Sequence, residues 1–129
     1  ESHHGHWWML PAAGHTCGYV LRHETEPVCY LAGDTIWYCG VRRNIDRWSP
    51  QVIIVNAGGN KFHLGGHVIM HIPDVLKAMD YAPAATFVAT HLEGVNHNQV
   101  TRVALEEEVL KCGNADRIHI PEDGEIVEL

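Results

Sequence analysis

Histidine is the residue type that stands out for chemistry, because 11 of the 129 residues are histidine. Histidine is the commonest metal ligand in proteins and the side chain that titrates nearest to neutral pH. Candidate ligands are Asp34 in a Gly-Asp-Thr triplet, His91 behind an apolar run, and the cluster His3, His4, His6 and His15. Histidines and a carboxylate of this kind can converge on zinc or another divalent ion. The structural alternatives are an aspartate that caps a turn and a hydrogen-bonded histidine.

Alternating strand and helix patterns must position these residues. Apolar residues at spacings of three and four predict helices, and runs of β-branched residues such as Val52–Val55 predict buried strands. The predicted strands cover residues 17–22, 28–32, 51–56, 85–90, 117–120 and 125–129, and the predicted helices cover residues 40–48, 73–81 and 101–111. Residues 1–16 and 57–67 are predicted to be loops. The order β-β-α-β-α-β-α-β-β predicts a layered α/β domain with helices packed on a sheet.

Polar residues follow three of these strands directly: Asp34, Asn56 and His91. Open sheets bind their ligands at such strand ends, so these residues are expected in one site. The Gly-rich loop 57–67 contributes Lys61, His63 and His67. Together with Asn56, these three are predicted to bind substrate.

Composition restricts the partners and the cellular setting that this chain can have. With 9 basic and 16 acidic residues the net charge is −7, which argues against a nucleic-acid or anionic-membrane partner. The longest apolar stretch is far shorter than a membrane helix requires. The four cysteines form no C-x-x-C pair, and we expect free, mostly buried thiols in a cytoplasmic protein. The length predicts one domain over residues 1–129.

Four stretches carry a family resemblance: residues 30–37, 52–59, 89–97 and 116–125. In their order and sequence they resemble the C-terminal half of a metallo-β-lactamase-fold hydrolase. The closest branch is that of L-ascorbate-6-phosphate lactonase and the N-acyl-phosphatidylethanolamine phospholipase D type. The resemblance implies an α/β fold that is half of an αββα sandwich, with a mixed β-sheet and helices packed on one face. It also implies metal-dependent hydrolysis of a lactone, phosphodiester or related ester.

The resemblance also assigns roles to individual residues. Asp34 matches the aspartate that binds or bridges the metals and orients water, and His91 matches the last histidine ligand. The remaining histidine ligand is either His4, which fits the spacing of the lactonase-like branch, or His15, which fits the general Gly-His-Thr pattern. His97, in an Asn-His pair, is expected to act in catalysis or to contact substrate. The implied cofactor is a divalent metal, with zinc expected first and manganese or iron as alternatives.

One family motif is absent from residues 1–129, namely H-x-H-x-D-H, which supplies most ligands of the first metal. We therefore expect a partial domain with little or no hydrolysis by this chain alone. The sheet face that normally packs on the other half is expected to be apolar and to drive association, either as a homodimer or with a complementary N-terminal half. The alternative function is that of a non-catalytic, self-associating α/β module.

Overall fold

The computed structural model of the chain describes residues 2–7, 14, 16–62, 66–94 and 96–129, without the side chain of Phe62. The strands described are β1 (Tyr19–Leu21), β2 (Cys29–Leu31), β3 (Val52–Asn56), β4 (Lys61–Phe62), β5 (Gly66–His67), β6 (Thr86–Thr90) and β7 (Ile118–His119). The helices described are α1 (Cys39–Trp48), α2 (Ile72–Tyr81) and α3 (Arg102–Lys111), and a 3-10 turn at Ala115–Arg117 precedes β7.

The main sheet has five strands in the order β1-β2-β3-β6-β7. β1 and β2 pair antiparallel, as the predicted hairpin requires, while the pairs β2–β3, β3–β6 and β6–β7 are parallel. Each parallel neighbour is reached through a helix, because parallel strands need a long crossover connection. The result is the mixed sheet that the sequence predicts.

The three helices cover one face of this sheet. Ile53 and Val55 of β3 and Phe87 of β6 point into the core and are at most 1% exposed. Their partners in the core cluster are Val41 and Ile45 of α1, Val75 and Met79 of α2, and Leu105 and Val109 of α3. In the described part of the chain, no helix is long and apolar enough to cross a membrane.

The opposite face of the sheet keeps large apolar side chains in contact with solvent. In β1 the central residue Val20 packs against the core cluster, whereas its neighbours Tyr19 and Leu21 are 61% and 57% exposed. Because side chains alternate along a strand, both neighbours point away from the helices. Leu31 of β2 and Ile54 of β3 alternate in the same way with buried core residues and are half-buried.

Three predictions about local structure are wrong. Residues 125–129 form no strand, because the amide of Glu125 bonds back to the carbonyl oxygen of Glu122 in a turn and Ile126 stays 87% exposed. The loop 57–67 contains the antiparallel hairpin of β4 and β5. The four cysteines are free, but three are exposed and Cys29 is half-buried, since most lie at or beyond the ends of helices and strands.

Phe87 tests the position of the core. We expect Phe87→Ala to lower the free energy of unfolding by about 3–5 kcal/mol, because it leaves a cavity in the core cluster to which all three helices contribute. Urea denaturation followed by circular dichroism measures this change. The control is Val103→Ala on α3, where the side chain is 61% exposed and the expected change stays within about 0.5 kcal/mol. Equal stability losses for the two variants would contradict the described core.

Candidate active site

Three polar residues lie side by side at the carboxyl edge of the parallel strands. Asp34 follows β2, Asn56 ends β3 and His91 follows β6, and these strands are neighbours in the sheet. The side-chain amide of Asn56 donates a hydrogen bond to Oδ1 of Asp34 over 2.6 Å. The hydroxyl of Thr90 in turn donates to Oδ1 of Asn56 over 2.9 Å. These two hydrogen bonds, from Thr90 to Asn56 and from Asn56 to Asp34, orient the Asp34 carboxylate.

A tight turn after β2 brings Asp34 to this edge. Gly33 has a φ of 68°, in the left-handed region that favours glycine. A Cβ atom at this position would also lie only 2.9 Å from the carbonyl oxygen of Cys17. Thr35 is fully buried, and its hydroxyl donates to the carbonyl oxygen of Ile36 over 3.1 Å. Asp34 is thus held between a glycine that makes the turn and a threonine that closes it.

The amino-terminal segment docks on the same turn by backbone hydrogen bonds. The amide of His3 donates to the hydroxyl oxygen of Thr35 over 3.1 Å. The amide of Ile36 donates to the carbonyl oxygen of His3 over 3.0 Å. These bonds place His4, the next residue, in the same cavity as Asp34. The sequence predicts only an irregular loop here, and these hydrogen bonds give His3 a defined position within it.

His91 has an unusual backbone conformation. Its φ is 57°, which is uncommon for any residue other than glycine and is found preferentially at functional sites. The surrounding contacts impose it, because the side-chain amide of Asn98 donates to the carbonyl oxygen of His91 over 2.8 Å. A Cβ atom at Gly58 would lie 2.3 Å from that same oxygen, so only glycine fits there.

These elements meet around a cavity of about 360 Å³. Its described lining residues are His4, Asp34, Asn60, Lys61, Val68, His91 and His97. The structure thus brings together five residues that the sequence selects as ligands, catalytic groups or substrate contacts. Asn60 and Val68 are additions. Asn60 directly follows the Gly58-Gly59 pair just after β3. That glycine pair is the sequence signal that could have identified Asn60 as a site residue.

Two described residues among the predicted site residues, Asn56 and His67, do not line the cavity. Asn56 lies behind Asp34 and supports it, so its contacts are those of a positioning residue. His67 lies on β5, and its ring stacks on His71, the N-cap residue of α2, with centroids 4.0 Å apart. His15 and His63 lie outside the described residues. The substrate-binding roles assigned to Asn56, His63 and His67 stay predictions.

The stacked pair of His67 and His71 anchors the β4–β5 hairpin to α2. Nδ1 of His67 lies 2.9 Å from the carbonyl oxygen of Gly59, so this nitrogen carries the proton. Nδ1 of His71 lies 3.1 Å from a carboxylate oxygen of Asp74, and this contact is an ion pair only when the imidazole is protonated. Burial lowers the pKa of His71 from its ordinary value of 6.5, and the opposing effect of Asp74 does not cancel this shift.

The described donors do not fit a metal ion by themselves. Among residues 2–7, 14, 16–62, 66–94 and 96–129, no three His, Cys, Asp or Glu side chains lie close enough together to hold one. Catalytic zinc takes three protein ligands and one open position. His4, Asp34 and His91 share a cavity, therefore, without completing a coordination shell.

The lowered pKa of His71 predicts a pH dependence of stability. As the pH falls below about 6.5, the unfolded chain takes up a proton at this position more readily than the folded chain, so folding is disfavoured. We expect the melting temperature to fall less between neutral pH and pH about 5.5 in His71→Gln than in wild type. The control His119→Gln replaces an exposed histidine and should keep the wild-type slope. Parallel slopes in all three proteins would contradict the assignment.

Known proteins resemble this chain over most of its length. It is 37% identical over 117 residues to UPF0173 protein YddR of Bacillus subtilis, covering 91% of this chain and 46% of YddR. It is 28% identical over 112 residues to a UPF0173 metal-dependent hydrolase of Myxococcus xanthus, covering 87% of this chain and 38% of that protein. No protein-family model matches the chain.

A solved structure agrees with these relatives. The isothiocyanate hydrolase from Delia radicum gut bacteria superposes with a TM-score of 0.92 at 35% identity, covering 96% of this chain and 51% of that one. The chain spans about half the length, or less, of each of these proteins. The chain is therefore similar, along nearly all its length, to about half of a metal-dependent hydrolase of metallo-β-lactamase fold, as its motifs predict.

Proposed function

We propose that this chain is the C-terminal part of a metal-dependent hydrolase and supplies Asp34, His91 and either His4 or His15 to its metal centre. The observation that carries the proposal is the meeting of Asp34, His91 and His4 around one cavity. These residues come from three separate segments of the chain. Because the described donors do not complete a shell, the remaining ligands are proposed to come from an H-x-H-x-D-H segment outside residues 1–129.

The chain's own residues have defined parts in this proposal. Asn56, held by Thr90, fixes the direction of the Asp34 carboxylate. His91 lines the cavity, and the side-chain amide of Asn98 donates to its carbonyl oxygen, while Gly58 leaves room for that oxygen. His97 lines the cavity and can exchange a proton with a bound substrate.

The substrate and the metal are inferred from the lactonase-like resemblance. The proposed substrate is a lactone, a phosphodiester or a related ester, and the proposed metal is zinc, with manganese or iron as alternatives. A bound metal of this kind polarises the scissile group and lowers the pKa of water. A cytoplasmic location stays a prediction.

Complementation tests this proposal. We expect the chain alone to bind zinc weakly and to hydrolyse γ-butyrolactone and bis(p-nitrophenyl) phosphate little, because its shell is incomplete. The partner in the test is the part of YddR that this chain does not match. Mixing the two should raise the zinc affinity, measured by calorimetry, by about ten-fold or more. The hydrolysis of at least one of the two substrates should rise by about the same factor. Asp34→Ala should abolish the gain.

The matched control is Asp116→Ala, in the exposed 3-10 turn, which should behave as wild type. Equal zinc affinity and activity for Asp34→Ala and wild type in the mixture would overturn the assignment of Asp34. Absence of any gain on mixing would overturn the proposed division of the site between two parts.

The exposed sheet face supports a second proposal, that the chain associates through it. Tyr19 and Leu21 present two adjacent large apolar side chains to solvent on edge strand β1. Soluble proteins seldom leave such a patch uncovered. Either a second copy of the chain or the complementary half would cover this face. A second copy would make the chain a homodimer or a non-catalytic self-associating module.

Sedimentation velocity tests this association. We expect the wild-type chain to sediment as a dimer, and Leu21→Glu to sediment as a monomer, because a buried carboxylate opposes burial of the face. Val103→Glu is the control, since Val103 is 61% exposed, close to the 57% of Leu21, but lies on α3. A monomeric wild-type chain would exclude the homodimer and leave the complementary half as the proposed occupant.

A further inference from the structure

The loop that carries His91 and His97 is closed at its base by its own residues. It comprises residues 91–94 and 96–98 and is called the site loop below. The side-chain amide of Asn98 donates to the carbonyl oxygen of His91 over 2.8 Å, which joins the two ends of the loop. The middle of the loop needs a separate anchor if His97 is to keep its place at the cavity.

Arg102 provides that anchor through Glu93. Arg102 is the first residue of α3, and its backbone amide donates to Oε1 of Glu93 over 3.0 Å. Its guanidinium donates to the other carboxylate oxygen, Oε2. One residue thus holds both oxygens, which fixes the direction of the carboxylate as well as its position. Among the residues that the structure describes, no other residue outside the site loop forms a hydrogen bond or ion pair with Glu93, Gly94, Asn96 or His97.

The same guanidinium also contacts the turn that follows β7. Nε of Arg102 donates to the carbonyl oxygen of Pro121 over 2.8 Å and lies 3.6 Å from a carboxylate oxygen of Glu122. The guanidinium donates through Nη2 to the carboxylate of Asp123. These contacts are possible because β7 is parallel to β6, so the chain leaves both strands at the edge of the sheet where the site lies. Arg102 therefore joins the site loop to a segment that follows the last strand.

Burial distinguishes Arg102 from an ordinary surface arginine. Its side chain is 13% exposed, whereas the side chains of Glu122 and Asp123 are 81% and 83% exposed. Exposed ion pairs are individually weak, so neither of these carboxylates would hold the loop by itself. A guanidinium that is mostly removed from water is costly to leave without partners, so its contacts on both sides stabilise one another.

We propose that Arg102 is a positioning residue that couples the turn after β7 to the site loop and so holds His97 at the cavity. This inference rests on the proposed function, since it gives Arg102 control over the position of a residue of that site. Arg102 is not among the described residues that line the cavity, so it acts through Glu93 and the loop.

Nitrogen-15 relaxation measured by NMR on the full chain tests this role without metal. We expect backbone order parameters near about 0.85 at Asn96 and His97 in wild type, the value of a rigid backbone, and below about 0.6 in Arg102→Gln. The ring resonances of His97 should move toward those of an unrestrained histidine in the same variant. A role confined to overall stability would lower the melting temperature without this local change.

The turn after β7 provides a second test, because its carboxylates are exposed and their replacement leaves the core untouched. Glu122→Gln combined with Asp123→Asn should also lower the order parameters of Asn96 and His97, although the described ion pairs of both carboxylates are with Arg102. The same two substitutions added to Arg102→Gln should have no further effect, because the coupling passes through Arg102.

Arg117→Gln is the matched control, because the Arg117 guanidinium also joins separate segments and donates to the carbonyl oxygen of Met79 over 3.2 Å. Its replacement should leave the order parameters of the site loop unchanged. Wild-type values already below about 0.6, unchanged values in Arg102→Gln, or an equal fall in Arg117→Gln would overturn the proposal.

A further fall when the turn is changed in the Arg102→Gln background would overturn it as well. These measurements need neither metal nor a second chain. A failed complementation would therefore overturn the proposed metal centre and would not alter the NMR result on which the coupling depends.

Discussion

Parallel pairing of β2, β3 and β6 is the constraint on which the site depends. Parallel strands in one sheet end at the same edge, and the register places Asn56 opposite Thr90 at that edge. The hydrogen bond from Thr90 to Asn56 follows directly from this register, and the bond from Asn56 to Asp34 follows because β2 is the next strand. A shift of one residue along β3 would turn Asn56 to the other face and disconnect Asp34. The same parallel pairing requires crossover helices, which bury the core and make the sheet rigid beneath the site.

The loops above this edge carry the remaining chemistry, and their backbones are fixed by close contacts. Gly33 and Gly58 allow two chain segments to approach carbonyl oxygens that a Cβ atom would displace. His91 adopts a left-handed conformation that Asn98 and the neighbouring backbone impose. Such a combination of a rigid sheet with strained loops at one edge is the usual arrangement of a binding or catalytic site.

The proposed function explains both the exposed apolar sheet face and the incomplete set of metal ligands. Apolar side chains of β1 stay exposed on the face that the helices do not cover, and the described histidines and carboxylates do not complete a metal shell. Both are expected of one side of a sandwich in which the partner side covers the sheet and contributes ligands. The chain spans about half the length, or less, of its relatives, which agrees with this interpretation.

The sequence by itself determined the helices, the central strands and the carboxyl-edge positions of Asp34, Asn56 and His91, because apolar periodicity and strand ends are local signals. The motif stretches also determined the family resemblance. Only the tertiary structure decided that Asn56 supports Asp34, that His4 reaches the cavity, and that Oδ1 of Asn60 is buried without a donor among the described residues. Those facts depend on contacts between residues far apart in the chain, as does the turn at Glu125 that replaces a predicted strand. Such contacts are set by the register of the sheet and the packing of loops, and neither leaves a periodic signal in the sequence.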